Sequence, residues 1–337
     1  MKKACKCRVS CLLPVSSFRE RLRKKMVTGY QFPVTSFRNL GTGNFLIFAR
    51  ISTINHAINI IYSFMPGIIQ QLQETTSFIK SQYSHTPEVG IVLGSGLGNF
   101  AQEIKVEKEI AYEAIPYFPV STVEGHHGKL IFGEVSGKKI VVMAGRFHFY
   151  EGYTPEQVAY PIRVMKQLGI RNLLLSNAAG GVNPAFKVGD LMIITDHISF
   201  STVNPLIGKN YSELGPRFPD MSEPYSKEII KKARNIAAAS QIKVQEGVYF
   251  GVTGPTFETR AEYKLIHRLG GDAVGMSTVQ EVIIAVHMNL PVFAVSVITD
   301  IGIREEDNII THEEVLQAAK EAEPKFTAIF KQLVAEL

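Results

Sequence analysis

The chain has 337 residues, of which 45% are hydrophobic and 20% charged, enough apolar material for a large globular core. No run of 18 or more apolar residues appears, which excludes a membrane span of the helical kind. The formal charge of +5 conceals an asymmetry: residues 1–64 hold eleven of the 36 Lys and Arg but one of the 31 acids, Glu20. The remainder is therefore mildly acidic and carries no nucleic-acid footprint.

The first 64 residues differ from the rest in other ways. All three cysteines, Cys5, Cys7 and Cys11, lie there. The body is thus without disulfides or a cysteine metal site. Three close cysteines lacking a fourth ligand read as incidental rather than metal-binding. The stretch "MKKACKCRVSCLLPVSSFRERLRKKM" has no sustained apolar region, which argues against a signal peptide, and "RERLRKK" reads as a solvated basic tail. Residues 1–64 are expected to be a basic extension, disordered or outside the natural chain, with Met65 as the alternative start.

From Met65 onward the elements alternate. "PGIIQQLQETTSFIKSQ" spaces Ile68, Leu72 and Ile79 as one face of a helix. "VGIVLGSGLG" is a short apolar strand entering a glycine loop. "LIFGEV" and "KKIVVMA" flank Ser136-Gly137, a hairpin turn. The second of these strands is expected to continue through "GRFHFYEGY". Arg146, His148 and Tyr150 would then lie on one face. A helix follows, capped by Thr154, with Pro155 in its first turn, Val158, Ile162, Met165 and Leu168 buried, and Gly169 as its stop; Pro161 should bend it. "NLLLSNAAGG" reads as a buried strand ending in a loop of small residues, and "DLMIITDHI" as another strand. Helices over 226–239 and 259–269 bracket "GVYFGVTGPTF". "DAVGM" leads into the helix "TVQEVIIAVHM", "VFAVSVITD" is the last strong strand, and 312–335 the last helix. The pattern predicts an α/β fold: a single domain over 65–337, with a mixed, largely buried sheet flanked by helices.

Polar residues gather where strands stop: Ser95, Arg146, Asn177, Glu258, Ser277 and Asp300. Open α/β sheets bind ligands there. "GSGLGN" fails the dinucleotide fingerprint, because its third glycine comes one residue early, and it lacks the Lys of a phosphate loop. A nicotinamide dehydrogenase is thereby disfavoured. What remains is a tight turn offering backbone NH groups and the Ser95 hydroxyl to a small oxyanion. Ser277 precedes a helix, as a cap or as part of an anion site. Arg146 supplies a bidentate fork for phosphate. Phe257 beside Glu258 suits a flat heterocycle, the ring stacking and the carboxylate accepting a ring NH; a favourable helix N-terminal acid is the simpler alternative. Asp300 is a cap or a ligand group.

The series "GSGLG", "VEGHHG", "GRFHFYEGY", "SNAAGG", "RFPDMS", "GVTGPTFE", "DAVGMSTVQE" and "THEEV", in that order across 65–337, resembles the trimeric purine nucleoside phosphorylases. The resemblance implies reversible phosphorolysis of purine nucleosides to free base and pentose 1-phosphate, in cytoplasmic purine salvage. No cofactor or metal is implied, since inorganic phosphate is the co-substrate. Ser95, Arg146, Phe147, His148, Ala178 and Ser277 would hold phosphate, with His126 closing over it. Tyr150 and Met276 would contact the ribose, and His312 its 5′-hydroxyl. Phe257 and Val274 would line the base, with Glu258 and Asp300 reading its edge. Phe218 would reach a neighbouring subunit's pocket, so a homotrimer is implied, with no nucleic-acid or membrane partner.

One position departs from the family pattern. Asp300 stands where members selective for 6-oxopurines usually carry Asn. Asn offers an NH to the exocyclic oxygen; an ionised Asp repels that oxygen but accepts from a 6-amino group. Two neighbouring carboxyls also resist joint ionisation. Two alternatives remain. A methylthioadenosine phosphorylase would give His312 no hydroxyl partner. A non-catalytic purine-binding module would not need the phosphate set.

Overall fold

The computed structural model describes residues 66–120, 128–303 and 311–337. Expectations for residues 1–64 and for His126 lie outside them. The described chain runs α1 (Ile68–Gln82), β1 (Val89–Leu93), β2 (Lys105–Ala111), β3 (Lys129–Val135), β4 (Lys138–Ala144), α2 (Pro155–Leu168), β5 (Asn172–Gly181) and β6 (Leu191–Ile198). It continues through α3 (Lys227–Ala239), β7 (Val244–Gly251), α4 (Arg260–Arg268), β8 (Ala273–Gly275), α5 (Val279–His287), β9 (Val292–Ile301) and α6 (His312–Glu336).

These strands form one mixed sheet in the order β2-β3-β4-β1-β5-β8-β7-β6-β9, with β5 also pairing β9. That extra pairing closes part of the sheet on itself. β5 runs parallel to β9, β9 antiparallel to β6, β6 parallel to β7, β7 parallel to β8, and β8 antiparallel to β5. A five-stranded ring is thus joined through β5 to an open arm of β1, β4, β3 and β2. β1 is buried at every position and β9 at all but its last, as strands covered on both faces must be. β2 is exposed along most of its length and edges the sheet. Its charges, Lys105, Glu107, Lys108 and Glu109, keep that edge from pairing further. The same charges hid it from hydropathy reading, and the sequence pattern did not announce it; nor were β7 and β8 named as strands.

Helix α2 packs against α1 and α5, while α6 packs on β9 and α3. Thr154 caps α2 by accepting from the Gln157 amide, Pro155 takes the first position, and Gly169 ends it in the left-handed region, all as expected. The hairpin at Ser136-Gly137 also forms, both residues having positive φ. α2 continues through Pro161. No helix among the described residues is long and apolar enough to cross a membrane.

Two local expectations need correction. β4 stops at Ala144; Gly145 has a φ of 105°, and Phe149–Glu151 form a turn of 3-10 helix. Arg146, His148 and Tyr150 are therefore not alternate positions of a strand. "NAAGG" is not a loop either: residues 177–181 extend β5 and stay paired with β9 to Ile301.

The glycine turn after β1 is clamped from behind by α6. A Cβ at Gly96 would lie 2.6 Å from the Ala319 Cβ and 3.1 Å from the Leu316 carbonyl, so only glycine admits this approach. Next to it, the buried Glu323 accepts from the Phe100 amide at 3.2 Å and from the Asn99 side chain at 2.8 Å. It thereby satisfies a buried donor of the short helix Gly98–Glu103. Glu323→Ala leaves that donor without its partner and is expected to cost about 2 kcal/mol. Urea unfolding monitored by circular dichroism measures the loss, and a change below about 0.5 kcal/mol would contradict the role.

Candidate active site

The loops at the carboxyl ends of β1, β4, β7 and β8 surround an open cleft of about 700 Å³, solvent mouth included. β5 and β9 supply its floor through Asn177, Ala178, Ala179, Gly180, Thr299 and Asp300. The first residues of α6, His312 and Val315, close one side.

One end of the cleft is built for an anion. Ser95, Arg146, His148 and Ser277 line it. Arg146 is 2% exposed. Its Nε and one terminal nitrogen donate to the two oxygens of Glu281, at 3.1 and 2.8 Å, and the other terminal nitrogen donates to the Ser176 carbonyl at 2.6 Å. The expected bidentate fork therefore exists, but a protein carboxylate occupies it. Ser277 does not cap α5. Thr278 takes that position with a φ of 73° and no side-chain cap, and its hydroxyl lies 3.1 Å from that of Ser277 and accepts from Asn177 at 2.9 Å. α5 still begins at the cleft wall, placing the positive end of its dipole there.

His148 is held by Glu151. The carboxylate accepts from the His148 backbone amide at 2.8 Å and lies 3.0 Å from Nδ1. Burial lowers the imidazole below its ordinary value of 6.5, and the Arg146 charge pushes the same way against Glu151. The ring is thus neutral at pH 7, and a neutral ring donating Nδ1–H to Glu151 presents Nε2 as an acceptor. Tyr150 stacks on it at 4.7 Å between centroids and 15° between planes. Burial raises the Tyr150 phenol to about 12, so it keeps its proton.

The other end suits a flat polar heterocycle. Phe257, Glu258, Tyr263, Val274 and Met276 line it together with Asp300. Burial raises the Glu258 carboxyl above its ordinary 4.5, the Asp300 charge adds to that rise, and the neighbouring Tyr263 hydroxyl opposes it. Asp300 accepts from the Thr299 hydroxyl at 3.1 Å. Its carboxylate lies over Gly180, where a Cβ would sit 2.9 Å from Oδ2. The small residues of "NAAGG" thus make room for a side chain of β9 as well as for a ligand.

Of the residues singled out in the sequence, two do not line the cleft. The Phe147 side chain packs in the core, 5.0 Å from Tyr112 and 5.9 Å from Tyr153 between centroids, so the expected part of Phe147 in holding phosphate falls to its backbone. Phe218 is 87% exposed and lies under the Arg217 guanidinium. Glu281, Glu151, Tyr263 and Thr299 were not anticipated. The capping-box spacing His148–Glu151 and the first-turn acid in "STVQE" were the signals available for two of them.

The family model described as "Phosphorylase superfamily" matches residues 88–335. Purine nucleoside phosphorylase 1 of Bacillus subtilis is 47% identical over 266 residues, spanning 79% of this chain and 98% of the relative. The Bos taurus purine nucleoside phosphorylase is 44% identical, spanning 80% of this chain and 95% of the relative. Among solved structures, isoform 2 of the Schistosoma mansoni purine nucleoside phosphorylase, in complex with cytosine and ribose-1-phosphate, superposes with a TM-score of 0.77 at 44% identity, covering 80% of this chain and 96% of that one. A Schistosoma mansoni purine nucleoside phosphorylase in complex with adenosine gives 0.76 at 42% identity, covering 80% and 98%.

Glu258 binds its proton more tightly folded than unfolded. The folded state is therefore favoured by proton uptake, and stability falls as pH rises from about 4.5 through the raised value. Wild type is expected to lose melting temperature relative to Glu258→Gln across that window, as differential scanning fluorimetry would measure; parallel profiles would contradict the raised value.

Proposed function

Because the chain belongs to the phosphorylase superfamily, and within it to the purine nucleoside phosphorylases, we infer that its cleft performs the reversible phosphorolysis of purine nucleosides. One observation carries the residue assignment. An anion cradle and an aromatic-carboxylate pair open into the same cleft, which Tyr150, Met276 and His312 also line.

In this reading phosphate rests against Ser95, Arg146, the Ala178 backbone, Ser277 and the N-terminal end of α5. His148 accepts the remaining phosphate proton through Nε2, and His126 completes the set. A phosphate oxygen forms the new bond to the anomeric carbon while the glycosidic bond breaks, its electron pair leaving with the purine, which takes up a proton. Positive charge grows on the sugar above the phosphate, and negative charge grows on the base. Glu258 accepts a ring NH, Phe257 and Val274 flank the ring, and His312 bonds the 5′-hydroxyl. A methylthio group would leave that histidine without a partner. No protein nucleophile or cofactor takes part.

Residues 65–337 are proposed as the catalytic domain of a cytoplasmic homotrimer, with Phe218 passing to the neighbouring subunit's sugar pocket. Its 87% exposure on the single chain supports that assignment. Asp300 is proposed to widen the base preference. Burial first, and the neighbouring Asp300 charge with it, raise the Glu258 carboxyl, which favours a protonated Glu258 able to donate beside an Asp300 able to accept. A 6-amino group is then accommodated as well as a 6-oxo group.

Purified protein is expected to convert inosine to hypoxanthine only with phosphate or arsenate present; a phosphate-independent rate, or none at all, in an ultraviolet assay would end the reading. Asp300→Asn is expected to raise the inosine-to-adenosine ratio of kcat/KM by about tenfold. A ratio that stays the same or falls would remove the role of Asp300 while leaving the reaction intact.

A further inference from the structure

We propose that Glu281 is an internal counter-anion, which competes with bound phosphate for the Arg146 guanidinium and keeps phosphate affinity low enough for exchange. The proposal rests on the phosphorolysis reading and extends it to a residue that does not line the cleft.

Both side chains are almost wholly buried, Arg146 at 2% and Glu281 at 3%. Both carboxylate oxygens of Glu281 are used on Arg146. Glu281 also stands in the first turn of α5, where a negative charge offsets the helix dipole. A single carboxylate thus offsets two sources of positive potential among the described residues, the Arg146 guanidinium and the start of α5. His148 adds none, since burial keeps it neutral, and Glu151 behind it is a further acid. Phosphate therefore enters a cradle rich in donors but poor in net charge. Hydrogen bonds position it, while the buried carboxylate one guanidinium away repels it through a low-dielectric interior. Such an arrangement favours release of phosphate and of the pentose 1-phosphate that carries the same group.

Glu281→Gln removes the charge and keeps an oxygen for Arg146. The expected result is a KM for inorganic phosphate lowered by about tenfold, with the KM for inosine little changed. Phosphate should also raise the melting temperature of the variant more than that of wild type, because the guanidinium that loses the Glu281 charge gains a counter-charge from the ligand. Glu281→Asp keeps the charge and is expected to hold its phosphate KM within about threefold of wild type. It decides the matter if the Gln variant cannot be recovered. An unchanged or raised phosphate KM in Glu281→Gln, or a larger rise in Glu281→Asp, would mark Glu281 as a brace alone and overturn the proposal. Wild type run alongside separates the two failures: a wild-type rate indifferent to phosphate defeats the functional reading, whereas a phosphate-dependent wild type with indifferent variants defeats only this inference.

Discussion

A guanidinium shut away from water has to find acceptors on every side, and the way Arg146 does so organises the site. Glu281 takes two of its NH groups and the Ser176 carbonyl a third. Those contacts join the segment after β4, the middle of β5 and the first turn of α5. Ser176 extends the network: its hydroxyl accepts from the Gly94 amide and donates to the Val92 carbonyl, fixing where β1 turns into the glycine loop. Moving any one of these segments would strand a buried charge, at a cost of several kcal/mol. The anion end of the cleft is therefore held by electrostatic necessity, and the apolar packing around it only has to agree.

The base end is held differently. Its side chains come from β8, β9 and the segment after β7, and close packing shapes it. Gly180 lets Asp300 lie flat against β5. The two carboxyl groups line one poorly solvated cleft, and that burial, with the Asp300 charge, raises Glu258. The cleft thus joins a half whose buried charges are paired to a half lined by two carboxyl groups, Glu258 and Asp300.

Much of this was legible in the sequence, for stated reasons. Short, β-branched apolar runs such as "VGIVL" and "VFAVSV" suit strands buried on both faces, and Thr154, Pro155 and Gly169 marked α2 at both ends. Ser95, Arg146, Asn177 and Asp300 converge because β1, β4, β5 and β9 run parallel, whereas Glu258 and Ser277 follow β7 and β8, which run against β5 and join the cleft through the ring. The misreadings arose where a long-range partner decided the outcome. Alternation along "GRFHFYEGY" suggested a strand, but Gly145 turns the chain and Glu151 gathers His148 into a short helix. Ser277 looked like a cap until Thr278 adopted a left-handed backbone and took the position. Glu281 was invisible as a partner because 135 residues separate it from Arg146. Ring closure through β5 and β9 likewise leaves no local trace, since each strand alone reads as an ordinary member of an open sheet.

That closure has a consequence for how such a site diversifies. A ring of strands has no free edge along which register can slip, so the wall beneath the base resists backbone drift. Novel ligand preferences must then arise through exchange of single side chains on a fixed frame. Evolutionary tinkering at Asp300 would alter chemistry without altering shape, and the molecule can explore neighbouring nucleobases one atom at a time.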